Sequence, residues 1–313
     1  MVFAAAMLVA LGLDAAFGWP ARLYARIGHP VTWIGALIAR LDRGMNREND
    51  TPGRRRLAGI AALAITIAAA AAPALLLAAL LPGGWIGAAL TGAFAAPLVA
   101  ARSLAEHVAA VARPLASGDL AGARGSVAMI VGRDSARLDA AGVARAALES
   151  LAENASDGVV APLFWGALLG LPGIAAYKAI NTLDSMIGHR SPRYEAFGWA
   201  SARLDDLVNL IPARLTALLF ALVSGRPRAA LGTVARDARR HRSPNAGWPE
   251  AAMAGALGVR LSGPRIYGTR IAEEPWVNGG AADPAPSDLG RGLALYHRAL
   301  LLLGALLALA ALV

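Results

Sequence analysis

Long apolar segments alternate with arginine-rich segments along the chain. Residues 57–81, "LAGIAALAITIAAAAAPALLLAALL", carry no charge over 25 positions, and about 20 apolar residues are enough to cross the hydrocarbon core of a bilayer. The "PGG" sequence at 82–84 predicts a tight turn, and the apolar residues 85–101 then predict a return helix. This pattern is typical of a helical hairpin in a membrane.

Four more apolar stretches are also predicted to be membrane segments: 1–17, 158–177, 207–223 and 293–313. The first lacks the basic n-region of a cleaved signal peptide, so we expect an uncleaved membrane helix. Prolines and glycines interrupt 158–177, so this stretch either crosses the bilayer or forms a re-entrant segment. The predicted fold class is all-α, a polytopic helical membrane protein with about four to six membrane segments, some of them re-entrant.

Two polar segments, 102–157 and 224–292, are predicted to be helical cytoplasmic loops within one integral membrane domain, 1–313. They hold six and ten arginines, the segment 18–56 holds eight, and the turn at 82–84 holds none. Because arginine accumulates on the cytoplasmic side of membrane proteins, we expect the N-terminus and the hairpin turn outside. The expected location is the cell (inner) membrane, with the active face towards the cytoplasm.

Composition supports this assignment. Hydrophobic residues make up 57% of the 313 positions and charged residues 16%, whereas an average soluble domain has about 25% charged residues. Since the arginines lie between apolar segments, the net charge of +9 does not call for a nucleic-acid partner. The absence of cysteine excludes disulfides, thiolate metal sites and a cysteine nucleophile.

The first candidate cluster precedes an apolar stretch. Glu149, Glu153 and Asp157 are spaced i, i+4, i+8 and would share one face of a helix, with Asn154 alongside. Three like charges on one face are explained by a metal ion, by a cluster of arginines or by a solvated surface. The spacing alone does not choose among these.

The second cluster surrounds Lys178, the single lysine of the chain. Asn181 lies on the same helical face, and Asp184 follows one turn later. A carboxylate, an amide and an ammonium are suited to holding Mg²⁺ and a phosphate together, while a self-neutralising Lys–Asp pair is the simpler explanation. Ionisable groups near membrane depth are functional candidates by default.

The third and fourth clusters are "ARLDDLVNLIPAR" (202–214) and "SPNAGWPE" (243–250). The first contains adjacent aspartates, as in Mg-diphosphate sites of membrane transferases. The second predicts a turn that leads into a helix, which is either an anion site or an ordinary capped helix. His29, before Pro30, is interpreted as a structural residue at a helix entry. The five histidines are scattered and predict no zinc site.

These segments together resemble the adenosylcobinamide-phosphate synthase family of cobalamin biosynthesis, the CobD and CbiB proteins. The resemblance rests on "ESLAENASDGVVAPLFW" (149–165), "YKAINTLDSMIG" (177–188), "RYEAFGWASARLDDLVNLIPAR" (193–214) and "SPNAGWPEAAMAGALGVRLSGP" (243–264), with weaker support from "GHPVTWIG" (28–35) and "MIVGRD" (129–134). Two positions depart from the family pattern: Trp19 stands where the family usually has Asp, and Ser262 where it usually has Gly.

The resemblance implies an ATP-dependent amide ligation, with ATP as co-substrate and Mg²⁺. Adenosylcobyric acid would be joined to (R)-1-amino-2-propanol or its O-phosphate, in contact with the lipid bilayer and with other corrin-pathway enzymes as candidate partners. The expected catalytic residues are Glu149, Glu153, Asp157, Lys178, Asp184, Asp205 and Asp206. Four of them form the expected pool of metal ligands: Glu153, Asp184, Asp205 and Asp206. The expected substrate-binding residues are Asn154, Asn181, Arg203, Asn209, Arg214, Ser243, Asn245 and Glu250.

Two other functions stay open at this stage. A membrane transferase that uses Mg-diphosphate would act on a polyprenyl or lipid substrate, but a second spaced D-x-x-x-D set is missing. A non-catalytic membrane signalling protein similar to AmpE would keep the fold and lose acidic and asparagine residues. The acidic and asparagine set is complete here, which favours an enzyme.

Overall fold

The computed structural model describes residues 1–131, 135–267 and 270–313. The described chain is mainly helical, and its fourteen α-helices are α1 Val2–Phe17, α2 Ala21–Ile27, α3 Pro30–Met45, α4 Pro52–Leu80, α5 Gly84–Ala95, α6 Ala101–Ala116, α7 Leu120–Ala128, α8 Ala140–Ala155, α9 Ala161–Ile187, α10 Trp199–Val208, α11 Leu210–Val223, α12 Pro227–Asp237, α13 Gly247–Leu257 and α14 Pro286–Leu312. The last three residues of the "MIVGRD" motif, 132–134, lie outside the described residues.

Four short strands pair in two antiparallel ribbons. Strand β1 (Leu261–Ser262) pairs with β4 (Trp276–Val277), and β2 (Arg265–Tyr267) pairs with β3 (Arg270–Ala272). These ribbons are too small to change the fold class. The all-α prediction is confirmed.

Membrane-spanning potential follows from helix length and composition. Four helical segments are long and apolar enough to cross a bilayer: Pro52–Leu80, Gly84–Ala116, Ala140–Ile187 and Pro286–Leu312. Two bent pairs raise the number to as many as six, one bent by 105° between α1 and the segment Ala21–Met45, the other by 45° between α10 and α11. The range agrees with the four to six segments expected from the sequence.

Two segments differ in detail from the sequence expectation. The return helix expected over 85–101 ends earlier, because α5 stops at Ala95 and a 3₁₀ turn, Ala96–Leu98, precedes the extended residue Val99. The interrupted stretch 158–177 belongs to a longer helical run, in which a π-helical turn at Ser156–Val160 joins α8 to α9. The interruption predicted from glycine and proline is present as a kink at Gly170, whose φ of 68° favours glycine.

By their internal contacts, the described residues group into two compact units. The first unit contains 1–100, 161–209 and 306–313, and the second contains 101–160 and 210–305. The single integral membrane domain expected from the sequence stays a prediction.

In the first unit, α9 packs against α1, α3, α4 and α10. Small residues allow close approach, as in other membrane helices. Gly59 of α4 lies so close to the backbone carbonyl of Phe197 that a Cβ would collide with it. A buried cluster of Ile38, Leu183 and Phe197 packs around the C-terminal part of α9, the part that also contains Lys178.

In the second unit, α13 packs against α8, α11 and α12. Nearly every residue of α13 is buried, including Glu250. Helix α8 begins at the side chain of Asp139, which accepts a hydrogen bond from the Gly142 amide at 2.7 Å, the usual role of aspartate at an N-cap. Helix α8 is thereby fixed at one end, and it presents Glu149 to the interior.

Candidate functional site

The end of α9 and the adjacent α10 bring several of the candidate residues together in the first unit. Lys178, Asn181 and Asp184 lie along one side of α9, and all three are half-buried. Asn181 and Asp184 are close enough to Asp205 on α10 to act on its carboxylate. The structure therefore joins two motifs that are more than twenty residues apart in the sequence.

Asp205 is held by a chain of buried hydrogen bonds. Tyr177 donates its hydroxyl to Asn209 Oδ1 at 2.8 Å, and Asn209 Nδ2 donates to Asp205 Oδ2 at 2.9 Å. Tyr177 is 2%, Asn209 1% and Asp205 8% exposed. Since Tyr177 fixes the orientation of the amide, the Nδ2 of Asn209 must point at the aspartate.

The second oxygen of Asp205 has a different environment. Oδ1 is buried and accepts none of the hydrogen bonds resolved among the described residues. A buried acceptor without a donor is costly, and such atoms in native structures call for an explanation. The Asn181 side chain acts on the Asp205 carboxylate as a hydrogen-bond donor from α9.

The adjacent Asp206 acts electrostatically on Asp205. It is half-buried, and the guanidinium groups of Arg203 and Arg190 act on it in turn. Adjacent residues on a helix point about 100° apart, so the two aspartates occupy different surroundings. Arg203, expected to bind substrate, is placed beside Asp206.

His29 is a residue of this cluster that the sequence analysis classed as structural. It caps α3: its Nδ1 accepts the Val31 amide at 3.2 Å, and its backbone N–H donates to Thr32 Oγ1 at 3.1 Å. The imidazole also lies close enough to Lys178 for the two groups to interact electrostatically, and the Trp19 ring packs edge-on against it at 5.1 Å. The helix-entry role is confirmed.

The tautomer of His29 follows from its cap. Because Nδ1 accepts a hydrogen bond, the proton of the neutral imidazole is on Nε2. His29 is therefore a hydrogen-bond donor beside the lysine, and its Nδ1 is not available as a base. Only the tertiary fold shows this, since Lys178 is far from His29 in the sequence.

In the second unit, the carboxylates of the first cluster have unlike surroundings. Glu149 is 5% exposed, and its Oε1 accepts the Ser262 backbone amide at 2.8 Å. Glu153 is exposed, and Asp157 lies in the π-helical turn, where the α-helical spacing is interrupted. Asn154 is exposed too, and its Nδ2 donates to the Ser150 carbonyl at 2.9 Å. The expected common face is therefore only partly formed.

The "SPNAGWPE" segment forms the predicted turn. Ser243 Oγ accepts the backbone amides of Asn245 and Ala246 at 3.3 and 3.1 Å. Asn245 in turn accepts a hydrogen bond from Arg214 Nη1 at 2.9 Å. The guanidinium of Arg214 also lies over the ring of Trp248, 4.2 Å from its centroid.

Glu250 lies in α13, the helix that follows this turn, and faces the interior of the second unit. It is 1% exposed, and its Oε2 is 3.6 Å from His241 Nε2. His241 Nδ1 accepts the Ser243 amide at 3.1 Å, so the proton of the neutral ring is on Nε2 and faces the carboxylate. His241 is another residue missed in the sequence, because its partner is nine positions away along an irregular segment.

A divalent cation would find few protein ligands here. Among the described residues, no three His, Asp or Glu side chains converge as a metal-binding group. Mg²⁺, however, is usually held by one or two carboxylates together with substrate phosphates. Asp184 and Asp205 fit that smaller requirement.

Comparison with known proteins identifies the family. A model of the CobD/Cbib protein family matches residues 7–296. A cobalamin biosynthesis protein CobD of Rhodobacter capsulatus is 67% identical over 96% of this chain and 95% of its own length. The CobD proteins of Rhizobium meliloti and Brucella suis are each 47% identical, covering 94% and 97% of this chain and 92% and 96% of their own lengths. No solved structure matches. The chain belongs to the CobD/Cbib protein family.

Proposed function

We propose that this protein acts in cobalamin biosynthesis as an adenosylcobinamide-phosphate synthase. It would join a propionate carboxyl of adenosylcobyric acid to (R)-1-amino-2-propanol or its O-phosphate, with ATP as the co-substrate. One observation carries the proposal: a chain of this family buries the Tyr177–Asn209–Asp205 hydrogen-bond chain, and its single lysine, Lys178, follows Tyr177 in the sequence.

The chemistry requires activation of the carboxylate. An amine does not attack a carboxylate at a useful rate, because oxide is a poor leaving group. Transfer of the γ-phosphoryl group of ATP to a carboxylate oxygen gives an acyl phosphate and ADP. The amine nitrogen then attacks the carbonyl carbon, the C–O bond to phosphate breaks, and the products are the amide, inorganic phosphate and a proton.

Donors for the phosphate oxygens would come from Lys178 and His29. Lysine binds phosphate as a compact point charge, and the Nε2–H of neutral His29 supplies a second, directional donor. Phosphoryl transfer depends mainly on such positioning and charge stabilisation. Mg²⁺, when held by Asp184, would add charge neutralisation on the same oxygens.

The amine arrives as an ammonium ion and must lose protons during amide formation. Asp205 Oδ1 is a fitting acceptor, because it is buried and accepts no resolved hydrogen bond, while Asn209 holds Oδ2 in place. Asp184 is the neighbouring carboxylate. Both amide atoms of Asn209 are used within the protein, so Asn209 would position Asp205, and the Asn181 side chain, which also acts on this carboxylate as a hydrogen-bond donor, would help to hold it.

The apolar helices and the distribution of arginines support the proposed location. The apolar helices fit a multi-pass membrane protein, and the arginine-rich segments indicate a cytoplasmic active face. The inner membrane is the proposed location, since ATP and the corrin substrate are then supplied from the cytoplasm.

The proposal is tested by turnover of the purified full-length protein in detergent. Adenosylcobyric acid, Mg-ATP and aminopropanol phosphate are supplied, and the amide product is followed by mass spectrometry. Wild type is expected to form product only with ATP, and Asp184→Asn to form none. Glu195→Gln is the matched control, because Glu195 is exposed in the segment between α9 and α10. No product from folded wild type that binds the corrin would reject the ligase.

A further inference from the structure

The turn at 243–246 and the beginning of α11 enclose a fixed arginine. Arg214 is half-buried in a helix of otherwise mainly apolar residues, "LIPARLTALLFALV". Its Nη1 donates to the Leu210 carbonyl at 2.8 Å and to Asn245 Oδ1 at 2.9 Å. The Trp248 ring covers one face of the guanidinium at 4.2 Å. A side chain with many rotamers is thus held in one position.

The groups that hold Arg214 do not neutralise it. Its resolved contacts are a carbonyl, an amide oxygen and an aromatic face, and no carboxylate forms an ion pair with it among the described residues. The charged side chain that acts on it is another cation, Arg239. Removing a cation from water beside a like charge is unfavourable, so an anion supplied from outside would stabilise this arrangement.

Arg239 differs from its neighbours in the same short segment, Ala238–Arg240. Arg236 and Arg240 both face Asp237, at 3.3 and 3.9 Å. Arg239 is exposed and pairs with no carboxylate among the described residues. Of these three arginines, Arg239 is the one that adds its charge to that of Arg214.

We propose that Arg214 is the anchor of a binding site for a phosphate monoester, held in place by Trp248 and Asn245, and that the exposed Arg239 adds positive charge to this site. Arginine presents its N–H groups in a fork that matches the oxygens of phosphate, and Nη2 and Nε of Arg214 are not used in the hydrogen bonds resolved for it. The charges of Arg214 and Arg239 together balance that of a phosphate monoester, which is about −1.5 to −2 near pH 7.

The source of the phosphate is either a soluble phosphorylated compound or the headgroup of an anionic lipid. Assignment to the phosphate of aminopropanol phosphate rests on the proposed function, and it would allow the site to distinguish the phosphorylated amine from the free amine. Binding of phosphate itself does not rest on that function, because it needs neither ATP nor the corrin.

Calorimetric titration of the purified full-length protein in an uncharged detergent tests this site. The probes are inorganic phosphate, aminopropanol phosphate, aminopropanol and short-chain phosphatidic acid, in separate titrations without ATP or corrin. Arg214→Gln should weaken phosphate binding by at least about tenfold, the loss of a charge-assisted hydrogen bond. Arg239→Gln should also weaken it, because it removes a positive charge that acts on Arg214. Arg240→Gln, next to Arg239 and paired with Asp237, should bind as wild type does.

The outcomes separate the sources and the proposal from its alternative. Weakened binding of phosphate and aminopropanol phosphate supports a soluble ligand, and weakened binding of phosphatidic acid alone supports a lipid headgroup. No binding by wild type, or equal loss in Arg240→Gln, would overturn the site. Arg239 is exposed, so Arg239→Gln keeps the test valid even if Arg214→Gln fails to fold.

Discussion

Replacement of Tyr177 by Phe removes one hydroxyl from the buried chain that holds Asp205. The hydroxyl donates to Asn209 Oδ1 at 2.8 Å, and both residues are almost fully buried. Phe fits the same space, so the substitution removes only the hydroxyl donor. Asn209 Oδ1 is then a buried acceptor without this donor, which costs about 1–3 kcal/mol.

The consequence for the site comes from Asn209. Its amide cannot simply rotate, because rotation would bring its oxygen against the Asp205 carboxylate. The Nδ2 contact to Asp205 is instead held less firmly, and a misplaced carboxylate costs about tenfold in rate for each 1.4 kcal/mol of lost transition-state stabilisation. We expect Tyr177→Phe to reduce both the midpoint of thermal unfolding and the turnover number, the latter by about tenfold.

Tyr296→Phe is the matched control. Tyr296 is 1% exposed, and its hydroxyl donates to the Ala101 carbonyl at 2.9 Å, so the same chemical change is made at a buried tyrosine outside this cluster. Both variants are followed by intrinsic fluorescence during heating and by amide formation. Similar losses of stability with a turnover loss in Tyr177→Phe alone would support the account. Equal turnover in the two variants would refute the role of Tyr177.

Three further predictions concern the second unit. Glu149→Gln keeps an oxygen for the Ser262 amide, so folding should survive at a cost of about 1 kcal/mol; normal turnover would then remove Glu149 from catalysis. Ser262→Gly should raise the unfolding midpoint, because Ser262 has φ 60° and a buried hydroxyl without a resolved partner, and release of such strain contributes about 1 kcal/mol; a lower midpoint would contradict this. The hydrogen bond from Arg260, with the charge of Arg145 adding to it, lowers the pKa of Asp283, so the ion pair stabilises the fold above the unfolded pKa of about 3.9 and loses this effect as pH falls through the lower folded pKa. The midpoint of Asp283→Asn should therefore be below that of wild type at pH 6 and approach it below pH ~4; a constant difference would refute the linkage.

The number of membrane-spanning segments, about four to six, could be predicted because the apolar pattern is local. A run such as 57–81 has one plausible structure in a membrane, and it is α4 in the structure. The kink at Gly170 was also signalled by glycine and proline. The π-helical turn at Ser156–Val160 was not predicted, because the order of polar and apolar residues there is almost that of an ordinary α-helix. The turn nevertheless shifts the face on which Asp157 lies.

The site could be predicted only where its residues share a helix. Lys178, Asn181 and Asp184 lie on one helix, as their spacing predicts, and their part in a site stays a prediction. The contacts of Tyr177 with Asn209 and of Glu149 with Ser262 join residues 32 and 113 positions apart, and no spacing rule reaches so far. Ser262 stands where the family usually has glycine, and the structure gives a reason for that glycine. The position has a left-handed φ, which glycine adopts without strain.

The most direct test of the central claim, that the carboxylate of Asp205 takes part in amide formation, is the turnover of Asp205→Asn. The variant is isosteric and keeps an oxygen for Asn209 Nδ2, so it removes the charge and leaves the hydrogen-bond chain in place. With adenosylcobyric acid, Mg-ATP and aminopropanol phosphate, wild type and Glu195→Gln should form the amide, and Asp205→Asn should form none above background. Turnover of Asp205→Asn at the wild-type rate would contradict the account.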